Sequence, residues 1–237
     1  MKPIVQIAEA WAPDGSHLAL CEHDETYFLK ADGVQLLTSF AHASEQHLAR
    51  LACAPFRPAA QPRILIGGLG LGFTLAEACR ALPQSRAQFT VAEVVPELHQ
   101  WNRRHLGHLH PGLWDDPRVT VCYQGLAELL AAAAASAPFN AILIDADHGL
   151  HTMTEPGHGL HSAAGLDLAR GALKEGGLLA VWSAGSDPAF EKRLRNSGFV
   201  VDTELVPAAH KGKRRRQHTI CLARKGSYQS QHQKQRR

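Results

Sequence analysis

The residues with chemical potential gather at a few strand ends. Gly67, Gly68, Gly70 and Gly72 follow directly on the apolar run Ile64–Ile66, and a helical pattern over about 73–82 follows them. Glycine lets a chain turn sharply and lets its backbone approach a ligand that a side chain would push away. Glu93 closes the next apolar run, 21 residues past Gly72. That is the distance at which a carboxylate meets the two ribose hydroxyls of an adenosine lying over a glycine turn. Strand, glycines, helix, second strand and terminal acid together point to a nucleoside site, whereas the glycines alone would read equally well as a tight turn.

Asp145 stands at the end of a later apolar run, in Asp145-Ala-Asp-His-Gly149. In open α/β sheets ligands bind beyond the carboxyl ends of the strands, so an acid there can act as a general base or hold a cationic amine. A strand-end cap is its bland reading. The chain also has 15 histidines, with His105, His108 and His110 in one group and His148, His151, His158 and His161 in another. Cysteine or carboxylate ligands that would complete a metal set are missing from both groups, so polar loop filling is preferred and no metal site is expected. Trp182 ends another strand and reads equally as a core residue or as a ring facing substrate.

A regular alternation has to position these residues. Apolar runs near 63–67, 88–93, 118–122, 140–145, 177–183, 199–206 and 217–224 alternate with helical patterns near 73–82, 96–107, 126–136, 163–173 and 187–197. Such alternation calls for a parallel sheet covered on both faces. The last two strands are close enough for an antiparallel hairpin. Ahead of them, short strands at Ile4–Ile7, Leu18–Cys21, Tyr27–Lys30 and Val34–Leu37 read as a small antiparallel sheet. A helix then runs from Glu45 to Ala52, opened by Ser44. The division expected is 1–55 as N-terminal β segment and linking helix, 56–226 as the nucleoside-binding domain, and 227–237 as a basic disordered tail.

With 237 residues, 45% of them hydrophobic, the chain can bury one good-sized core. No apolar run reaches the roughly 20 residues that span a bilayer, and Met1–Gln6 lacks the layout of a signal peptide, so a cytoplasmic protein is expected. Five scattered cysteines read as buried small hydrophobes, not as a disulfide framework. The net charge of +3 is uneven: residues 211–237 hold ten Lys and Arg and no acid, which leaves 15 basic against 22 acidic side chains, or −7, in residues 1–210. A dinucleotide enzyme would set a pyrophosphate on the helix N-terminus and need a substrate domain. The single block of strands after residue 63 suits a smaller cofactor better.

The chain resembles the S-adenosylmethionine-dependent methyltransferases, and within them the spermidine synthase-like aminopropyltransferases. Asp32-Gly33, Ile64–Gly72, Val91–Glu97, Asp116–Val121, Phe139–Asp145 and Leu173–Ala180 carry the resemblance, in the family's order, across about residues 25–225. It implies a doubly wound, mostly parallel, seven-stranded Rossmann-like sheet with a terminal antiparallel strand and a small N-terminal β segment. It also implies S-adenosylmethionine, or its decarboxylated form, as cofactor. Gly67, Gly68, Gly70, Gly72, Glu93, Val94, Gly125, Leu126 and Asp145 would bind it, and Asp145, Asp147 and His148 would be catalytic. In the family the aspartate matching Asp145 helps deprotonate the attacking amine.

Three departures bear on the reaction. His148 stands where the family has a second aspartate. Gly70 stands where it has an aspartate that meets the amino group of the decarboxylated cofactor. At Gln124-Gly-Leu126 the family has Gly-Asp, the acid meeting the adenine amino group, whereas Leu126 offers only an apolar wall. Asp145-Ala-Asp147 also resembles the metal-binding segment of catechol-type O-methyltransferases, in which a divalent ion holds the acceptor.

Methyl transfer to a small acceptor is therefore the first reading, and aminopropyl transfer to a polyamine the second. A nucleoside-binding protein without turnover is the third. Homodimerisation is compatible with all three. The five charges of Lys211–Arg216 read first as a solvated face. The alternative is that, with strand 199–206 parallel and 217–224 returning, they lie at the cofactor edge of the sheet, where they would gather RNA or another anionic partner and repel a polyamine.

Overall fold

The computed structural model describes residues 3–145, 159, 162–209 and 216–226; Asp147, His148, His151, His158, His161, Lys211 to Arg215 and the tail 227–237 lie outside them. The first four strands are β1 (Val5–Trp11), β2 (His17–His23), β3 (Thr26–Ala31) and β4 (Val34–Thr38). They form an antiparallel meander in the order β1-β2-β3-β4. Its turns use backbone conformations that few residues tolerate: Asp24, Glu25 and Asp32 all have positive φ, and Asp is among the residues that accept that region most readily.

The helix α1 (Ala43–Cys53) leads into β5 (Arg63–Gly67), and alternation then runs as the sequence leads one to expect. It proceeds through α2 (Phe73–Ala81), β6 (Gln88–Ala92), α3 (Pro96–Arg104), β7 (Val119–Cys122), α4 (Leu126–Ser136) and β8 (Phe139–Asp145). It ends with α5 (Ala163–Gly171), β9 (Leu173–Ser183), α6 (Pro188–Asn196), β10 (Phe199–Pro207) and β11 (Gln217–Lys225). The seven strands lie in the order β10-β11-β9-β8-β5-β6-β7. β11 is antiparallel to both of its neighbours, and the remaining adjacent pairs are parallel. The chain's last strand is thus interior and β10 is the edge. The chain reverses direction across the sheet between β5 and β8, the place where an open α/β sheet leaves a crevice for ligand.

Each strand alternates its side chains between two cores. Ile64 and Ile66 pack with α1 and α2 on one face, and Leu65 with α4 on the other. A third core joins Leu18, Leu29 and Leu37 of the N-terminal sheet to Leu71, Phe73 and Trp101, so that sheet is anchored on the glycine loop and α3.

Several boundaries differ from the sequence reading, β1 among them, which runs on to Trp11 instead of ending at Ile7, and three of them bear on the packing. α1 starts at Ala43, so Ser44 lies within it; its hydroxyl is buried and meets His218 Nδ1 at 3.0 Å, bracing the helix against β11. α3 stops at Arg104, three residues early, and Gly107–Leu109 forms a short 3₁₀ turn instead. β9 begins at Leu173 because its register slips between Phe139 and Ala141 of β8, leaving Lys174–Gly177 as an outward bulge. Gly177 is required there, since a Cβ would stand 2.7 Å from the carbonyl oxygen of Lys174.

Candidate nucleoside site

The recess sits at the carboxyl end of β5, where Gly67 pairs with Ala92 of β6 on one side and Ile144 of β8 on the other. Its space amounts to ≈ 720 Å³ with the open mouth included. Gly67, Gly68 and Gly70 line it, with Glu93 and Val94 beyond the end of β6, Gln124 and Leu126 at the start of α4, and Leu143 below. Leu37 of the N-terminal sheet and Glu45 of α1 cover it from above.

The glycine loop owes its shape to left-handed backbone at Gly68, Gly70 and Gly72, with φ of 88°, 53° and 83°. Gly72 does not line the recess. It caps α2 from behind, where a Cβ would stand 2.9 Å from Asn102 Oδ1 and 3.0 Å from His110 Cδ2. Asn102 and His110 fix the loop from that side. The Asn102 amide donates to the carbonyls of Gly70 (2.8 Å) and Leu98 (2.9 Å), and His110 Nε2 donates to that of Leu71 (2.8 Å). Both side chains are buried, and the His110 ring stands edge-on to Phe73. Burial holds the His110 imidazole below its ordinary pKa, against the pull of the Leu71 carbonyl. Sequence reasoning gave Asn102 no role and read His110 only as one of a histidine group; an asparagine within a helix and a histidine in a loop carry no signal of this kind.

Glu93 is only 5% exposed. One carboxylate oxygen accepts the Leu69 N–H at 3.0 Å and the other accepts the Val95 N–H at 2.8 Å. The two oxygens together have about four lone-pair sites, more than the backbone donors fill, which leaves room for a ligand hydroxyl. Burial pushes its carboxyl above the ordinary value, while the backbone N–H groups of Leu69, Val95 and Val94 pull it back. The acid is therefore a structural part of the loop as well as a candidate ligand.

Leu126 packs across Gly67, where a Cβ would stand 3.0 Å from its Cδ2, so this wall is apolar as the sequence suggested. Gly125 is the N-cap of α4, between the two lining residues Gln124 and Leu126. Gln124 is the polar side chain at this end. Glu45, buried like Glu93, brings a second carboxylate to the lining. Sequence reading placed it only as the first residue of a helix.

The backbone of β8 carries Asp145 to the same edge, one residue past Ile144, in register with Trp182. Trp182 is a core residue, 3% exposed and edge-on to His218 at 4.6 Å. The group His105, His108 and His110 does not converge on a common point: His108 lies against the Tyr27 ring while His110 is tied to Leu71. Among the described residues no three metal-ligating side chains are grouped.

No protein-family model matches the chain, and no curated protein matches it. Solved structures do. Spermidine synthase from Thermotoga maritima superposes with a TM-score of 0.69 at 22% identity, over 93% of this chain and 73% of that one. The fold is spermidine synthase-like. A spermidine synthase in complex with the transition-state analogue AdoDATO gives the same TM-score at 21% identity, over 93% and 72% of the two chains. Human methyltransferase-like protein 13, in complex with SAH, gives 0.56 at 15% identity, over 79% and 82%. The spermidine synthase-like fold thus includes the N-terminal segment as well as the seven-stranded Rossmann-like sheet. Among the described residues no helix is long and apolar enough to cross a membrane.

Proposed function

We propose that the protein is a transferase that uses S-adenosylmethionine or its decarboxylated form, and that methyl transfer to a small acceptor is its reaction. The observation that carries the cofactor reading is Glu93, whose two oxygens are fixed by Leu69 and Val95 at the rim of a glycine-lined recess. That preorganised pair suits a ribose diol, because both hydroxyls find an acceptor at no cost in reordering. Neighbours of the same fold bind AdoDATO and SAH, which agrees with a nucleoside ligand.

Gly70 favours methyl over aminopropyl transfer. An aspartate there, as in the aminopropyltransferases this chain resembles, would need a positive φ, and its Cβ would stand 2.9 Å from Leu37 Cδ1. The amino group of a decarboxylated donor would meet leucine at that point. Glu45, also in the lining, is the acid that would attract the ammonium of either donor.

In this reading Asp145 serves the acceptor as base or amine anchor, and Asp147 and His148, which lie outside the described residues, share the catalytic role. The protein's contribution is to align the nucleophile with the leaving sulfur and to take the acceptor's proton. Incubation with each donor and a panel of amines, phenols and thiols, followed by mass spectrometry, tests this. Adenosylhomocysteine and a methylated acceptor are expected; methylthioadenosine instead would assign aminopropyl transfer. Binding of adenosylhomocysteine with no product from any acceptor would favour the non-catalytic alternative.

A further inference from the structure

A second recess lies under α6, between that helix and strands β9, β10 and β11. It encloses ≈ 420 Å³, its mouth included. Val181, Cys221 and Phe190 form its apolar base, Ser183, Thr203 and Thr219 bring hydroxyls, and Asp187 and Glu191 stand at its side. Strand register explains the grouping. Thr219 pairs with Ser183 and Cys221 with Thr203, and directly opposed residues of antiparallel strands share a face. Thr219 is 6% exposed, and its hydroxyl has no hydrogen-bond partner among the described residues. A buried, unpaired hydroxyl is costly, and a ligand that supplies a donor removes the cost.

We propose that this recess is a second ligand site, built for a primary ammonium group on a short alkyl stem. An ammonium carries three donors and no acceptor. The recess offers it the Thr219 and Thr203 hydroxyl oxygens and two carboxylates, with Val181, Cys221 and Phe190 to receive the stem. An anion is disfavoured. Asp187 caps α6, its Oδ1 accepting the Phe190 N–H at 2.9 Å, so an acid already occupies the helix's positive end. Glu191 adds a second negative charge one turn on. Arg195 pairs with Glu191 at 2.9 Å and Arg193 approaches Asp187 at 3.9 Å, but neither arginine lines the recess. The Cys221 thiol is pushed up to about 12, first by burial and then by Glu191, in keeping with a negative interior.

The recess opens where Ser183 ends β9, next to the register pair of Asp145 and Trp182, so it shares the carboxyl edge of the sheet with the nucleoside site. The inference does not rest on the transfer reading, because binding there needs no donor.

Full-length protein with ¹³C-methyl threonine would be titrated with butylammonium chloride and, separately, with 1-butanol. The expected result is a saturable shift of the Thr219 and Thr203 methyl signals with butylammonium, and at least about tenfold weaker binding of the alcohol, which lacks the charge. Thr219→Val, read through Thr203, should weaken butylammonium about tenfold or more while leaving the unfolding midpoint unchanged or higher. The valine methyl has the hydroxyl's shape and needs no partner. Glu191→Gln should weaken binding without the packing change and serves as a second variant if Thr219→Val does not fold. Equal affinity for alcohol and ammonium, undiminished ammonium binding in both variants, or no saturable shift at all would overturn the proposal. The last outcome would mean that Thr219 is satisfied by water alone.

Discussion

Glu93→Gln separates the two duties that the structure gives to one carboxylate. In the free protein its oxygens accept the N–H groups of Leu69 and Val95. An amide keeps one acceptor and turns its NH₂ toward the other N–H, leaving a buried donor unpaired at a cost of about 1–3 kcal/mol. In the complex two ribose hydroxyls would meet one acceptor, losing one charge-assisted bond of about 1.5–3 kcal/mol, or roughly 10- to 150-fold in affinity. Alanine would remove both partners from the loop at once and confuse folding with binding, so glutamine is the informative change.

Calorimetry with adenosylhomocysteine measures the second effect and urea unfolding the first. pH supplies an internal control. Burial holds the folded Glu93 pKa above the ordinary 4.5, so the stability it contributes is fully present below 4.5 and lost as pH rises through the folded value. Wild type should therefore gain stability relative to Glu93→Gln as pH falls through that window, while its affinity for the nucleoside falls because the anion is being lost. Affinity in Glu93→Gln should be flat over the same range. A folded Glu93→Gln protein that binds adenosylhomocysteine as wild type does would remove the ribose assignment, whatever happens to its stability.

Four other outcomes follow from the same geometry. The His110 pKa is depressed by burial, so the stability His110 contributes is present above the unfolded value of 6.5 and should be lost as pH falls toward the folded pKa, by less than about 1.4 kcal/mol per pH unit; His110→Gln should remove that slope in urea titrations. Gly70→Ala, forced against Leu37 Cδ1 at a positive φ, should weaken nucleoside binding, and Leu37→Ala should restore part of it in calorimetry. Burial pushes the Cys53 and Cys79 thiols up to about 12, so neither should be alkylated by iodoacetamide in native protein at pH 8, and both should react in urea by mass spectrometry. Pro207 and Gln217 pair at the carboxyl edge; if Lys211–Arg216 gathers polyanions there, Lys213–Arg216 changed to Ser should abolish salt-sensitive RNA binding and leave adenosylhomocysteine affinity unaltered.

The fold was legible because its signals are repeated and local. Apolar runs such as Ile64–Ile66 and Ala141–Ile144 are flanked by glycine or a strand-ending acid, and each is followed by a helical pattern. Agreement among many weak signals fixed the alternation. What the sequence concealed was of two kinds. Boundaries were set by tertiary contacts: Ser44 is not a cap because His218, 174 residues away, takes its hydroxyl, and β9 starts early because a bulge absorbs Lys174–Gly177. Supporting residues were hidden for a different reason. Asn102 and His110 act on the backbone of the glycine loop from a neighbouring helix and loop, an arrangement with no fixed spacing.

The glycines show how one pattern can carry two causes. Gly67, Gly68 and Gly70 line the recess, whereas Gly72, the residue from which the spacing to Glu93 was measured, faces Asn102 and His110. A motif that looks like one ligand requirement is therefore partly a packing requirement. Glu93 obeys the same logic, since the bonds that fix its oxygens for a ribose are those that hold the loop shut. Substitutions in this loop will move stability and affinity together, and only a change such as Glu93→Gln, whose two costs have different pH dependences, can tell them apart.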